Sequence, residues 1–280
     1  MMLGAMLISF SPVCVKLAHV GPTMAGFYRM LLGGLLLAGV LLAQGRRIIP
    51  QKRDLPGALA CAFFFALDLT FWHRSIHYVG PGLATILSNF QVFFLAGFGA
   101  LFVGERLGWR LWLAIPLALA GLFLLVGLDR ADLPPDYLPG VGFGLLTALA
   151  YAAYLLTLRR LQKGRDTAAA QANMVVISLG CAAMLAPGAW LLGESFVIPD
   201  LQSWAALTGY GLAGQVLGWV FISRGLPRVP AARAGLVLLM QPTLSFVWDM
   251  TFFARPTTAI ELIGAVGALL AIYLGATSRR

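Results

Sequence analysis

The stretch Phe71–Arg130, FWHRSIHYVGPGLATILSNFQVFFLAGFGALFVGERLGWRLWLAIPLALAGLFLLVGLDR, returns without a gap 150 residues later as Phe221–Arg280. Phe71 pairs with Phe221, Arg74 with Arg224, Val79 with Val229 and Gln91 with Gln241, and ten of the sixty positions are identical. Identity that low carries little in a chain so rich in Leu, Ala and Gly. The signal is that the apolar blocks and their breaks stay in phase from end to end. Each half holds five long apolar segments. Five is odd, so a second half that threads a bilayer as the first does must lie upside down relative to it.

The segments run over 2–18, 23–44, 55–75, 80–103, 109–128, 139–158, 167–193, 201–223, 229–253 and 258–277. Most approach the ~20 helical residues that cross a hydrocarbon core of about 30 Å. Hydrophobic residues make up 60% of the chain and charged ones only 11%, against ~25% charged in soluble domains. The expected fold is therefore an all-α membrane protein of ten transmembrane helices. Residues 1–130 form a first five-helix repeat and 139–280 a second, inverted one, together a single transport unit. Inverted repeats place a small-molecule site where the halves meet, as in secondary transporters. The N-terminus MMLGAMLISF lacks a basic region and a small-residue cleavage site, so it reads as the first helix rather than a cleaved leader.

The net charge of +9 raises the question of a nucleic-acid partner, and the placement of the cations answers it. With the N-terminus cytoplasmic, the inner loops hold Arg46, Arg47, Lys52, Arg53, Arg106, Arg110, Arg159, Arg160, Lys163, Arg165, Arg224, Arg228, Arg233, Arg279 and Arg280, fifteen of the twenty Lys and Arg. Lys16, Arg29, Arg74, Arg130 and Arg255 remain for the outer side, whose loops carry Asp129, Asp132, Asp136, Glu194 and Asp200. That bias orients both termini inward. The basicity is topological, and no nucleic-acid partner is expected. Cys14, Cys61 and Cys181 lie in apolar segments without metal-like spacing and read as small buried hydrophobes.

The breaks have ordinary turn chemistry. Gly21-Pro22 and Gly80-Pro81-Gly82 open helices, Gly45 to Asp54 is a basic hairpin loop, and the prolines of DRADLPPDYL (Asp129–Leu138) separate the halves. Thr258-x-x-Glu261 reads as a capping box. Gly209, Gly211, Gly214 and Gly218 thin one side of the eighth segment for a close neighbour.

Ser11-Pro-x-x-x-Lys16, Phe27-Tyr28-Arg29 and Ala84-Thr85-x-x-x-Asn89-x-Gln91, leading into Gly104-Glu105-Arg106, resemble the EamA branch of the drug/metabolite transporter superfamily. The resemblance spans the chain. It implies an inner-membrane exporter of small metabolites, amino acids (aromatic ones among them) or cationic drugs. Two departures are plain. Val92 stands where a proline is usual, although Pro242 follows Gln241, which counts against symmetric helix breaks. Arg255 stands where the second repeat usually has an acid, which counts against a symmetric gate.

Charges inside a bilayer cost ~2.5–3.5 kcal/mol each near a helix centre, so each asks for a reason. Lys16, near the outer end of the first segment, either snorkels to the interface or serves the site. Arg29 is too deep to snorkel easily and either makes a structural ion pair or joins the site. Asp68 and Asp249 have no loop position to explain them, and neither has a repeat mate. They either pair with Lys16 or Arg29 or exchange a proton with cargo. His73 and His77 are spaced for one helix face; without a visible third ligand they read as a proton-sensitive gate rather than a metal site.

Helical periodicity selects the binding candidates. Ser9 shares a face with Ala5, Pro12 and Lys16; Thr85 and Asn89 with Gly82 and Phe93; Tyr151 and Tyr154 with Thr147; and Gln241, Ser245 and Trp248 with Phe252. Gln91 and Gln241 occupy equivalent places near mid-membrane, and Trp72 and Gln215 complete the set. Aromatic and small polar groups on facing helices suit an amphipathic solute of modest size. Trp109, Trp112, Trp190 and Trp204 fit an interfacial belt instead, whereas Trp219 lies too far inside. No phosphate loop, Ser/His/Asp set at one depth or zinc-like cluster is present in the sequence, so neither an enzyme nor a cofactor is expected. The expected partners are a small-molecule substrate and the lipid bilayer; the sequence leaves monomer or homodimer open.

Overall fold

A computed structural model describes residues 2–103, 108–126, 134–218, 221 and 231–277. The Gly104-Glu105-Arg106 motif, Asp129 to Asp132 of the connector, Trp219, Arg224, Arg228 and the last two arginines lie outside the described residues. Among the described residues the repeating structure is helical throughout. The helices are α1 (Met2–Ser9), α2 (Ser11–Leu17), α3 (Pro22–Ala43), α4 (Leu55–Val79), α5 (Pro81–Ser88), α6 (Gln91–Val103), α7 (Trp109–Val126), α8 (Tyr137–Gln162), α9 (Thr167–Leu191), α10 (Leu201–Gly209), α11 (Ala231–Phe253) and α12 (Ala259–Thr277). A π-helical stretch, Tyr210–Leu217, continues α10.

Among the described residues, five helical stretches are long and apolar enough to cross a bilayer: Pro22–Ala43, Lys52–Val79, Pro81–Phe98, Tyr137–Gln162 and Thr167–Leu191. Met2–Leu17, Trp109–Leu124 and Ala259–Gly275 are shorter apolar helices. Leu101, Leu201 and Ile263 are 81%, 84% and 63% exposed. Large side chains presented outward in that number belong against lipid rather than water. Trp109 and Trp190, at 69% and 72% exposed, stand on this outer surface as the belt reading requires.

Among the described residues, two of the apolar segments are broken within the fold. Between α1 and α2 the chain turns at Phe10, where Pro12 withholds the amide that a continuous helix would need. Between α5 and α6 no proline is present. There Ser88 Oγ and Asn89 Nδ2 both donate to the Thr85 carbonyl, at 2.9 and 2.8 Å, competing with the helical ladder for its acceptor. Pro242, in contrast, sits inside an unbroken α11. The asymmetry expected from Val92 and Pro242 is thus present with the opposite sense: the proline-free segment breaks and the proline-bearing one continues.

Packing follows small residues. A Cβ on Gly121 of α7 would lie 2.5 Å from the Ala268 backbone nitrogen of α12, so these two helices meet backbone to backbone. Gly211, Gly214 and Gly218 admit α3, Ser11 and Ile8 respectively, whereas nothing stands near Gly209. The main core joins α4 to α8 and α5 and is filled by Phe65, Leu69, Ile76, Leu83, Leu87 and Tyr154. The remaining large contacts are α7 with α12, α3 with α9 and with the π stretch, α4 with α9, α5 with α8 and α11, and α1 with α11.

Acids from elsewhere in the chain close two helix starts. Gly21 and Gly80 are the N-cap residues of α3 and α5, each followed by proline, and neither has a side chain to cap with. Glu194 accepts from the Thr23 and Met24 amides at 3.2 and 2.9 Å, and Asp249 accepts from the Gly82 amide at 3.0 Å. Both carboxylates answer orphan N–H groups and the positive end of a helix dipole. Glu261 and Thr258 make the reciprocal bonds of the capping box.

Candidate functional site

Arg29 lies about 10 Å along α3 from its N-terminal start, at 1.5 Å per residue, and is only 7% exposed. Gly26, one turn before it, lets the His73 ring approach, and Gly33, one turn beyond, faces Gln215. On α4 the residues Phe65, Asp68, Leu69, Trp72 and His73 recur at three- and four-residue spacing, so they share the face turned inward. The π stretch aims Tyr210 and Gln215 at α3 and α9; widened turns of this kind gather at functional positions.

These elements build a directed chain of hydrogen bonds. Arg29 Nη1 donates to Tyr210 Oη at 2.9 Å, and Tyr210 Oη lies 3.2 Å from His73 Nε2. His73 Nδ1 is 2.5 Å from the Leu69 carbonyl oxygen. A carbonyl only accepts, so Nδ1 carries the proton; a neutral ring then leaves Nε2 as an acceptor, and Tyr210 must donate to it. Both ring nitrogens are thereby engaged, and His73 is a link in an internal network rather than a free ligand. The Arg29 guanidinium also lies over the Tyr210 and Phe65 rings, 4.8 and 5.7 Å from their centroids. From Phe65 a stack of rings continues to Tyr154 at 4.5 Å and on to Tyr151 at 5.9 Å.

Asp68 stands beside this network, 7% exposed. Among the described residues no ion pair joins it to Lys16 or Arg29, although Arg29 is its electrostatic neighbour. Tyr151 neighbours both Asp68 and Arg29. Arg29 Nε and Trp72 Nε1 are buried without a hydrogen-bond partner. Among the described residues Asp68 is thus in no ion pair with Lys16 or Arg29, the pairing expected of it, and Arg29 Nε and Trp72 Nε1 each remain without an acceptor.

The other candidates fall elsewhere. Ser9, Ser245 and Trp248 meet at the seam of α1 and α11: Trp248 Nε1 donates to Ser9 Oγ at 2.9 Å, Ser245 Oγ to the Ser9 carbonyl at 3.0 Å, and Phe10 stacks on Trp248 at 4.6 Å. Their polar groups are spent on each other, so this set reads as a clasp. Phe252, placed on the same face, is 55% exposed. Thr85 and Asn89 bond within α5, while Gln91 keeps a buried unpartnered Oε1 at the start of α6. Gln215 donates from Nε2 to Ser178 Oγ at 3.2 Å, tying the π stretch to α9. Gln241 is half-buried in α11. Asp249, besides capping α5, lies 3.5 Å from Arg255, and Lys16 and His77 belong to the same group of charges. The lack of an acid at position 255 thus has a structural counterpart, since its arginine holds Asp249. Tyr210 and Phe65 were missed in the sequence. The depth criterion that selected Tyr151 also applies to Tyr210, a lone phenol well inside the eighth segment.

A crevice of about 160 Å³ lies between α3, α4 and α9, lined by Thr23, Phe63, Thr70, Arg74, Met184 and Leu192 among others. Phe63 is half exposed there and neither Arg29 nor Asp68 lines it, so this crevice is peripheral to the charged interior.

Apolar outer faces, capped helices and a charged, aromatic interior define a multi-pass membrane protein. The EamA-like transporter family model matches residues 1–127 and 138–277, and the chain belongs to that family. Among its relatives, the "Pseudopaline exporter CntI" of Pseudomonas aeruginosa is 26% identical, over 90% of this chain and 84% of the relative. A "Probable amino-acid metabolite efflux pump" of Salmonella typhimurium is 22% identical, over 95% and 89%. A solved crystal structure shares the fold with a TM-score of 0.68 at 20% identity, covering 98% of this chain and 94% of its own.

Proposed function

We propose that the protein is an inner-membrane secondary transporter that exports a small amphipathic metabolite by alternating access, with amino acids, including aromatic ones, as cargo. The observation that carries the reading is the group of buried Arg29, Asp68 and Trp72 with half-buried Tyr151, walled by Phe65, Tyr154 and Tyr210. It draws on α3 and α4 from one half and on α8 and the π stretch from the other, where alternating access needs the site to be.

Ten spans in two inverted repeats are part of this reading. The family model matches once per half. The packing pairs also map onto each other when the halves are exchanged: α4 with α8 becomes the π stretch with α1 and α2, and α4 with α9 becomes the π stretch with α3. The pairs α3 with α9, α5 with α11 and α7 with α12 map onto themselves. The outward direction is supported by relatives named as an exporter and an efflux pump.

An organic cation is the second reading, favoured by Asp68 beside the Phe65–Tyr154–Tyr151 stack. Counterflow into proteoliposomes with a panel of radiolabelled amino acids and organic cations separates the two. Accumulation of amino acids and not of cations is the expected result; accumulation of cations alone would move the assignment to the second reading.

A further inference from the structure

We infer that Arg29 and Asp68 are the two poles of a zwitterion site, Arg29 taking a carboxylate and Asp68 an ammonium group of one and the same solute. The inference rests on the transport reading above and adds the recognition chemistry to it.

Buried opposite charges that serve only to neutralise each other close into contact, because an open pair forfeits the attraction that offsets desolvation. Arg29 and Asp68 do not close, yet each is within the other's field and each is 7% exposed. The relay explains why Arg29 stays put. Tyr210 takes Nη1 and donates onward to His73, and the Tyr210 and Phe65 rings hold the guanidinium plane. This leaves Nε, buried and unpartnered, as a fixed donor. Trp72 Nε1 is a second such donor, one turn beyond Asp68 on the same face of α4. Two N–H groups are what a carboxylate accepts from. In its ionised form Asp68 offers only acceptors, and Tyr151 is within its field; an ammonium with its three donors matches that end. The ring stack of Phe65, Tyr154 and Tyr151 supplies an apolar wall for the rest of the solute. A solute with ammonium and carboxylate on one carbon, as in an α-amino acid, answers both poles at once. A monovalent cation or anion leaves one of them bare.

The test is competition against counterflow of phenylalanine by analogues that lack one charge: phenethylamine without the carboxylate, and N-acetylphenylalanine without the ammonium. Each charge-assisted contact is expected to be worth about 10- to 100-fold in affinity, so both analogues should compete at least about tenfold more weakly than phenylalanine. In Asp68→Asn the gap between phenylalanine and N-acetylphenylalanine should narrow, and in Arg29→Gln the gap between phenylalanine and phenethylamine. Equal competition by all three compounds in the unaltered protein overturns the inference while leaving transport intact, and it needs no variant to fold. Asp68→Asn that abolishes dependence on a pH gradient but keeps the analogue ranking also overturns it, assigning Asp68 to proton exchange. Flux of organic cations with none of any amino acid removes the transport reading's cargo and the inference together.

Discussion

Tyr210 Oη is the shared atom of the relay, accepting from Arg29 and donating to His73. Tyr210→Phe keeps the ring under the guanidinium and deletes both bonds, leaving Nη1 and Nε2 without their partner. Loss of about 1–2 kcal/mol is expected on the scale of polar contacts between membrane helices, read as a fall in melting temperature in detergent. Phenylalanine counterflow should fall as well, because Arg29 is freed to turn. A variant as stable and as active as the parent would show the relay to be incidental. At the protein surface, Asp200 accepts from the Ser203 amide at 2.7 Å and pairs with His19. The first of these contacts chiefly, with His19 assisting, holds its carboxyl below the usual range. A depressed carboxyl contributes stability that is complete above the ordinary value of ~3.9 and fades as pH falls through the lower folded value. Melting measured from pH 6 down to pH 3 should therefore drop below about pH 4 more steeply in the parent than in Asp200→Asn. Among these residues the charges were legible in the sequence, because Arg29 and Asp68 interrupt apolar runs. Their relation was not: whether a buried acid pairs, caps or stays open depends on helix rotation and spacing, which one-dimensional pattern leaves free.

The helices themselves were largely legible, since apolar length, Gly-Pro breaks and the capping box each act within a few residues. The α5–α6 break was not, because it arises where two side chains compete for one carbonyl rather than at a proline. Nor were the caps on α3 and α5, whose acids lie in the other half of the chain. Those caps make their glycines sensitive. A Cβ on Gly82 would come 2.7 Å from the Phe246 Cα, a backbone atom that cannot swing aside, whereas nothing stands within 4 Å of Gly142 in α8. Gly82→Ala should thus cost about 1–3 kcal/mol, as overpacking does, with loss of the Asp249 cap. Gly142→Ala should gain up to ~1 kcal/mol from helix propensity. Melting temperatures of the two variants check the order; equal shifts would mean that α5 and α11 tolerate separation.

Which way the whole molecule faces is read from the placement of its charges. On the ten-span reading, fifteen of twenty Lys and Arg are assigned to the side of the Gly45–Asp54 loop, and positive loops are retained in the cytoplasm. The structure joins two loops assigned to that side, through Asp54 with Arg165 and Arg46 with Gln171. It joins the opposite loops through His19 with Asp200 and Glu194 with the start of α3. Loops assigned to one side therefore meet one another, which a single wrongly placed crossing would prevent. The orientation is open to a direct test. Cys14, Cys61 and Cys181 are free and buried or half-buried, so a Cys-free background should fold after small-residue replacement. Gln51→Cys and Ser195→Cys in that background place one exposed thiol on each face. In intact cells a membrane-impermeant maleimide should label position 195 and spare position 51, and permeabilisation should open position 51 to the same reagent. The reverse pattern would invert the bundle, put the cationic face outside and turn the proposed direction of export around.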